Sequence, residues 1–228
     1  MEKETLNLGS KKCICYRCGD PEALLIQPAS GDEEGFLDAQ VSEIKAGSSK
    51  GFVLVSFHID DWNRELSPWD ADPVFGNERF TGGAPYTLKF VTEELIPEIK
   101  ARFELETDIP ICLGGYSLAG LFSLWCMYNS EEFDCVCGVS PSVWFEGWDE
   151  YIASHDPKAS GVYLSLGKKE EKTKNKTMAR VGERIKGQYD HLTSFGKRCI
   201  LEWNEGGHFN DPGSRCAKGF IWCLNNED

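Results

Sequence analysis

Three residue types, set far apart in this chain, could cooperate in nucleophilic catalysis. A serine, Ser117, stands at a corner in "ICLGGYSLAGLFSLW" (111–125); two acids, Glu170 and Glu171, follow the run "VYLSLGKK"; a histidine, His208, sits in "NEGGHFND". A strand-like run enters Gly114-Gly115, the serine follows, and an apolar helix leaves. That is the pattern of a nucleophile elbow, a sharp strand-to-helix turn that exposes a hydroxyl above a sheet. The usual spelling is G-x-S-x-G; here Ala119 occupies the last place and Gly120 comes one position later. Small residues around the serine let strand and helix approach closely. The amide of Leu118, at the helix N-terminus, then faces developing negative charge as one oxyanion donor.

A hydroxyl is a weak nucleophile. It needs a base, and the base needs an acid to orient it, in the chain order serine, acid, histidine on a scaffold of this kind. Of the four histidines, His58 precedes the serine. His155 lies near a helix end before Asp156-Pro157, and His191 lies in an amphipathic helix among polar neighbours; both read as solvated surface. His208 follows the run "CILEWNE" and Gly206-Gly207 and precedes a helix, which is where a base must reach back over the sheet. Glu170 and Glu171 both lie just past Gly167, and the residues alone leave either as the acid, with Asp211 and Asp149 in reserve. A second oxyanion donor should come from the loop after the third strand. That strand reads as 51–59 and its loop as "HIDDWN", so the amides of Asp60, Asp61 and Trp62 are the candidates. Trp62 and Trp69 in this loop, with Trp144 and Trp148 after "SPS", point to a substrate pocket for an apolar or aromatic group.

The elements that must position these residues are legible as apolar runs. "CICYRCG" (13–19) and "EALLIQP" (22–28) flank Gly-Asp-Pro and read as a hairpin. Leu37, Val41 and Ile44 share a helical face that Gly47 should close as a C-cap. After the strand 51–59 comes a polar loop to about Gly83. Leu88, Val91, Leu95, Ile99 and Phe103 recur at helical spacing, with a kink or break expected at Pro97. The elbow strand (111–116) and its helix (118–129) follow. Then come a strand in "FDCVCGVSPS", a strand at 161–167, and a helix carrying Met178, Val181, Ile185, Tyr189 and Leu192. A strand in "RCILEWNEGG" and a helix in "DPGSRCAKGFIWCLNN" close the chain. Beyond the opening hairpin, strands and helices alternate, which predicts an α/β fold with a mostly parallel sheet covered on both faces.

Composition narrows the function. The 228 residues are 41% hydrophobic and 27% charged, as expected of one globular domain without a large lid. With 24 basic against 37 acidic residues the net charge is −13, which repels phosphate backbones and anionic lipid and argues against nucleic-acid or membrane partners. The run "KKEEKTKNK" is mixed in sign and reads as a solvated loop. The N-terminal "MEKETLNLGSKKC" lacks the apolar core of a secretory signal, and no run is long enough to span a bilayer, so a cytoplasmic location is expected. In that compartment the ten cysteines read as free thiols. Cys13 and Cys15 alternate along a strand, as do Cys135 and Cys137, and no second C-x-x-C pair joins "CICYRC" to complete a zinc site. No metal or cofactor is therefore expected.

The motifs "GGYSLAG", "SLGKKEE" and "GGHFND", with the loop "DDWNRELSPW", resemble those of the α/β-hydrolase esterase group that includes enterochelin esterases and esterase-D-like enzymes. The order of strands and helices is similar over nearly the whole chain. The resemblance implies a serine esterase acting on a small-molecule carboxylic ester, with no cofactor. It implies Ser117 as nucleophile and His208 as base, and it singles out Glu170 as the acid through the G-x-x-E run that starts at Gly167. Ala119 is the departure from that group's elbow. With no large lid, small or open-cleft substrates are favoured over long-chain lipids; homo-oligomerisation is left open. The rival reading is a non-catalytic protein of the same fold that binds a ligand through its tryptophan-lined loops.

Overall fold

The computed structural model describes residues 1–74 and 76–225. The chain opens with strands β1 (Glu2–Leu8), β2 (Lys11–Cys18) and β3 (Pro21–Ala29), a short helix α1 (Gly31–Glu34) and helix α2 (Leu37–Gly47). Strand β4 (Gly51–His58) leads to helix α3 (Trp62–Glu65) and a small ribbon, β5 (Asp70–Ala71) with β6 (Phe80–Thr81). Helix α4 (Ala84–Phe90) passes through a π-helical turn (Val91–Leu95) into α5 (Ile96–Arg102). Next are β7 (Ile111–Tyr116), α6 (Leu118–Asn129), β8 (Cys135–Val139), α7 (Trp148–Ala153) and β9 (Gly161–Gly167). A 3-10 turn (Met178–Arg180), α8 (Val181–Ser194), β10 (Arg198–Asn204) and α9 (Pro212–Asn225) complete it.

The main sheet has the order β1-β2-β4-β3-β7-β8-β9-β10. The pairs β1–β2 and β2–β4 are antiparallel and the others parallel, so the fold is α/β with an antiparallel N-terminal hairpin. Alternate residues of the strands feed two cores. Ile111 and Leu113 of β7 join a cluster with Leu121, Phe122 and Leu124 of α6 on one face. Cys112 joins a cluster with Val41 of α2 and Phe220 of α9 on the other. Each fully buried aliphatic or aromatic side chain contributes roughly 1.5–3 kcal/mol of transfer free energy. Helix α6 is buried at every position from Leu118 to Tyr128, as a helix apolar on all sides should be. No helix among the described residues is long and apolar enough to cross a membrane.

Three local expectations change. The hairpin is not 13–19 with 22–28: β4 lies between β2 and β3, and the partner of β2 is β1. The run "EKETLNL" carries charges along a largely exposed edge and lacks clear alternation, a composition that protects edge strands but hides them from a hydrophobicity reading. Gly47 is not a left-handed cap; α2 ends at Ser48 in extended conformation. A β-carbon on Gly47 would come within 2.5 Å of Ile221 Cδ1, so glycine serves there to let α9 approach α2. At Pro97 the helix neither breaks nor ends. The π-helical turn just before it, in which the Ile96 amide donates to the Val91 carbonyl, places the proline in the first turn of α5, where its missing N–H costs nothing.

Candidate active site

Ser117 stands between β7 and α6 with φ 58° and ψ −119°, a backbone conformation costing on the order of 1–3 kcal/mol for a residue with a side chain. Neighbouring backbone enforces it. The Ser117 amide donates to the Val139 carbonyl (3.0 Å), and its carbonyl accepts from the amides of Leu121 (3.0 Å) and Ser142 (3.0 Å). The glycine pattern of the elbow also becomes clear. A β-carbon on Gly115 would lie 2.5 Å from the Ala119 backbone and 2.7 Å from its methyl, and one on Gly120 would lie 2.9 Å from the Gly115 carbonyl. Gly115 makes the room that Ala119 fills, and Gly120 is the position that must stay bare.

Parallel pairing brings the other groups to the same edge. Gly167 of β9 and Asn204 of β10 are register partners, so the turns that follow them run side by side. The amides of Lys168 and Lys169 donate to the carbonyls of Asn204 (2.9 Å) and Gly206 (3.0 Å). A β-carbon on Gly206, at φ 88°, would lie 2.5 Å from Asn210 Oδ1, which accepts from the Gly207 amide at 2.8 Å. Glu170 and His208 thereby face each other. His208 Nδ1 lies 2.8 Å from Glu170 Oε2, and His208 Nε2 lies 3.0 Å from Ser117 Oγ.

The second oxygen of Glu170 is fully engaged. Its Oε1 accepts from the Gly167 amide (2.7 Å), the Ser140 hydroxyl (2.7 Å) and the Arg215 guanidinium (3.1 Å). Burial pushes the Glu170 carboxyl up, but the hydrogen bond and charge of His208, the Ser140 hydroxyl and the Gly167 amide outweigh it, and the net displacement is below the ordinary value. Arg215, whose side chain is 3% exposed, also donates to the Tyr116 hydroxyl (3.2 Å), the Ser140 hydroxyl (3.2 Å) and the carbonyls of Glu205 (2.8 Å) and Gly207 (3.0 Å). Tyr116 in turn donates to the His208 carbonyl. Sequence reasoning missed Arg215, Ser140 and Tyr116. For Arg215 a signal existed: a cation in the first turn of α9, where the helix dipole disfavours it, needs a buried acid nearby.

The remaining candidates divide. Glu171 is exposed beside Gly182; Asp149 pairs with Arg184 at 3.1 Å; and the Asp211 carbonyl accepts the Arg215 amide. His58 bonds Glu34 through Nδ1 at 2.9 Å. Leu118 opens α6 beside Ser117. The amides of Asp60 and Asp61 are spent on Glu65 Oε1, at 3.1 and 3.0 Å, and Trp62 begins α3. These three follow the fourth strand, not the third, because β1 went unread. The strand beside β7 is β3, so the loop leaving Ala29 is the one that starts next to the serine.

Trp144, with Pro141, Met178 and Val181, lines a small cavity against His208 and Glu170. Trp148 does not face it: it is fully buried and donates its indole N–H to Gln188 (3.0 Å). Trp69 donates to the Glu146 carbonyl (2.9 Å) and packs on Tyr151 with ring centroids 5.1 Å apart. Trp62 is half-buried against the core. A wider cleft of about 700 Å³, bordered by Lys11, Arg64, Glu65 and Tyr86, contains none of Ser117, Glu170 and His208.

Comparison with known proteins gives one pattern. Residues 30–195 match the family model described as "Putative esterase". A stretch of 79 residues, 34% of this chain, is 33% identical to the siderophore triacetylfusarinine C esterase of Aspergillus fumigatus, and the match spans 26% of that protein's length. Among solved structures, siderophore hydrolase EstA from Aspergillus nidulans superposes with TM-score 0.73 at 17% identity, over 100% of this chain and 95% of that one. The enterobactin esterase FES from Shigella flexneri gives TM-score 0.71 at 16% identity, over 98% of this chain and 59% of that one.

Proposed function

This chain belongs to that esterase family, and on that premise we propose that it is a serine hydrolase of small carboxylic esters with Ser117, His208 and Glu170 as its triad. The observation that carries the reading is the continuous relay from Ser117 Oγ through His208 to Glu170, with contacts of 3.0 and 2.8 Å. In this mechanism His208 Nε2 takes the hydroxyl proton as Ser117 attacks the ester carbonyl, and later returns it to the leaving alkoxide. Glu170 accepts from Nδ1–H, fixes the tautomer and stays ionised as the imidazolium forms. Its depressed pKa and three further donors suit it to that task. The Leu118 amide and the N-terminus of α6 stabilise the oxyanion. Water then repeats the sequence on the acyl-enzyme.

The cavity beside Trp144 holds only about 30 Å³, little more than a water, and sets no limit on the acyl or alcohol group. The activities for which the similar proteins are named make siderophore-type esters the natural first members of a panel. The experiment is labelling with a fluorophosphonate probe, followed by turnover of short acyl and siderophore-type esters. Stoichiometric labelling that disappears in Ser117→Ala is expected. An unlabelled, folded wild-type protein would defeat the mechanism and favour a binding protein on this fold.

A further inference from the structure

The esterase reading makes no use of a thiol cluster that lies at the other end of the sheet from Ser117. Cys112 on β7 and Cys135 on β8 are direct register partners. Cys137 follows on the same face of β8, and Cys223 reaches down from α9. The Sγ atoms of Cys112, Cys135 and Cys223 all lie within 4.8 Å of one another. Sγ of Cys137 is 3.3 Å from Sγ of Cys223. None of the four residues is more than 1% exposed. Beside them, Nη2 of Arg198 stands 3.8 Å from Sγ of Cys135, with its guanidinium held 5.4 Å over the Trp222 ring.

A buried cysteine that serves only as a small hydrophobe needs carbon neighbours. Three sulfurs converging from three elements, with a fourth against one of them and a cation alongside, form a different arrangement. A tetrahedral zinc–thiolate centre, with Zn–S of about 2.3 Å, sets its sulfurs about 3.8 Å apart. Every pair within the trio Cys112, Cys135 and Cys223 lies within 4.8 Å, in reach of that spacing, whereas Cys137 contacts Cys223 from outside the trio. Thiolate donors select soft d10 cations. Three thiolates around a divalent ion leave one negative charge, which Arg198 is placed to offset.

We propose that Cys112, Cys135 and Cys223 form a buried three-thiolate site for a thiophilic d10 cation of the zinc class, fastening α9 to β7 and β8. Binding exchanges three thiol protons for the metal, M²⁺ + 3 RSH → [M(SR)₃]⁻ + 3 H⁺, with no change of oxidation state. Enclosed by residues no more than 1% exposed, at the far end of the strand from Ser117, the ion is structural. Its effect on the esterase centre is indirect, through α9, which also carries Arg215.

The test is to load the intact purified protein with Zn²⁺ or Cd²⁺ alone at micromolar concentration, dialyse, and measure metal content, the ultraviolet cadmium–thiolate band and the melting midpoint. One retained equivalent, a band of three-sulfur intensity and a midpoint raised by several degrees are expected. All three should vanish in Cys112→Ser/Cys223→Ser and persist in Cys199→Ser, a cysteine outside the cluster. If the double variant does not fold, the wild-type stoichiometry and band intensity decide alone. Failure of the wild type to retain metal, or a band that survives in a folded double variant, overturns the site. Fluorophosphonate labelling of the same samples is independent, so loss of one reading leaves the other standing.

Discussion

At one end of β7 stands Cys112, packed against sulfur and carbon from β8 and α9 in unstrained extended backbone; at the other stands Ser117, at φ 58° in a nest of charged and hydroxyl groups. The first end is held by burial and close contact. The second carries strained backbone at Ser117 and Ser140, both with positive φ, and a buried carboxylate–guanidinium pair that packing alone would not favour. The difference shows where this fold accepts local cost. It gathers at the edge where strand ends, turns and helix N-termini converge, with Ser117, Ser140 and Asp211 all at positive φ there and Glu104 the exception elsewhere among the described residues.

Substitutions at the polar end should strike turnover first, and those at the thiol end stability. Ser117→Ala should lower ester turnover by about 10⁴ or more with an unchanged circular dichroism spectrum. Cys223→Ala, by contrast, should keep the folded protein within about tenfold of wild-type turnover and reveal itself as a lowered melting midpoint. Equal behaviour of the two variants in both assays would erase the contrast.

Next in size comes the acid. Glu170→Gln should cost on the order of 10³–10⁴ in turnover, because the imidazolium loses its partner, whereas Glu171→Gln should cost less than about tenfold. Both variants are measured on one substrate. A large loss at Glu171 with a mild one at Glu170 would reverse the assignment.

Arg215→Lys sharpens the comparison further. Lysine keeps the charge but cannot reproduce a fork that reaches Glu170, Ser140, Tyr116 and two carbonyls of the His208 loop. A fall in kcat of about 10–100-fold with a small change in KM is expected, since the base is mispositioned rather than the substrate lost. A pure rise in KM would place Arg215 among substrate contacts instead.

The smallest effect is on stability against pH. Glu170 titrates below its ordinary value in the folded protein. Its interactions therefore contribute fully above the ordinary carboxylate range, and the contribution is lost as pH falls through the depressed folded value. The melting midpoint of the wild type should drop over that acid window, with a shallower slope in Glu170→Gln. Identical slopes would show that the pair adds nothing to stability.

Much of this was legible in order along the chain. The strands at 111–116 and 161–167 and the elbow helix at 118–129 are uniform apolar runs bounded by glycine or polar residues, and they fall where expected. The strand Glu2–Leu8 was not legible, because an exposed edge is built from charge rather than alternation. That single omission displaced the strand count and sent the search for an oxyanion donor to Asp60 and Asp61, whose amides serve Glu65. Trp148 was misplaced for another reason: a tryptophan after a turn reads alike whether its ring lines a pocket or, as here, fills a core.

The sequence by itself determined the α/β alternation, the serine on its strand-to-helix corner and the order of acid and histidine after it, because each is a local pattern of period, glycine placement and chain order. Only the tertiary structure decided that Glu170 rather than Glu171 meets His208, that Arg215 ties both to Tyr116, and that Cys112, Cys135 and Cys223 converge. Those pairings depend on parallel register and on which way a side chain leaves a turn. Neither leaves a mark on residues that lie far apart along the chain.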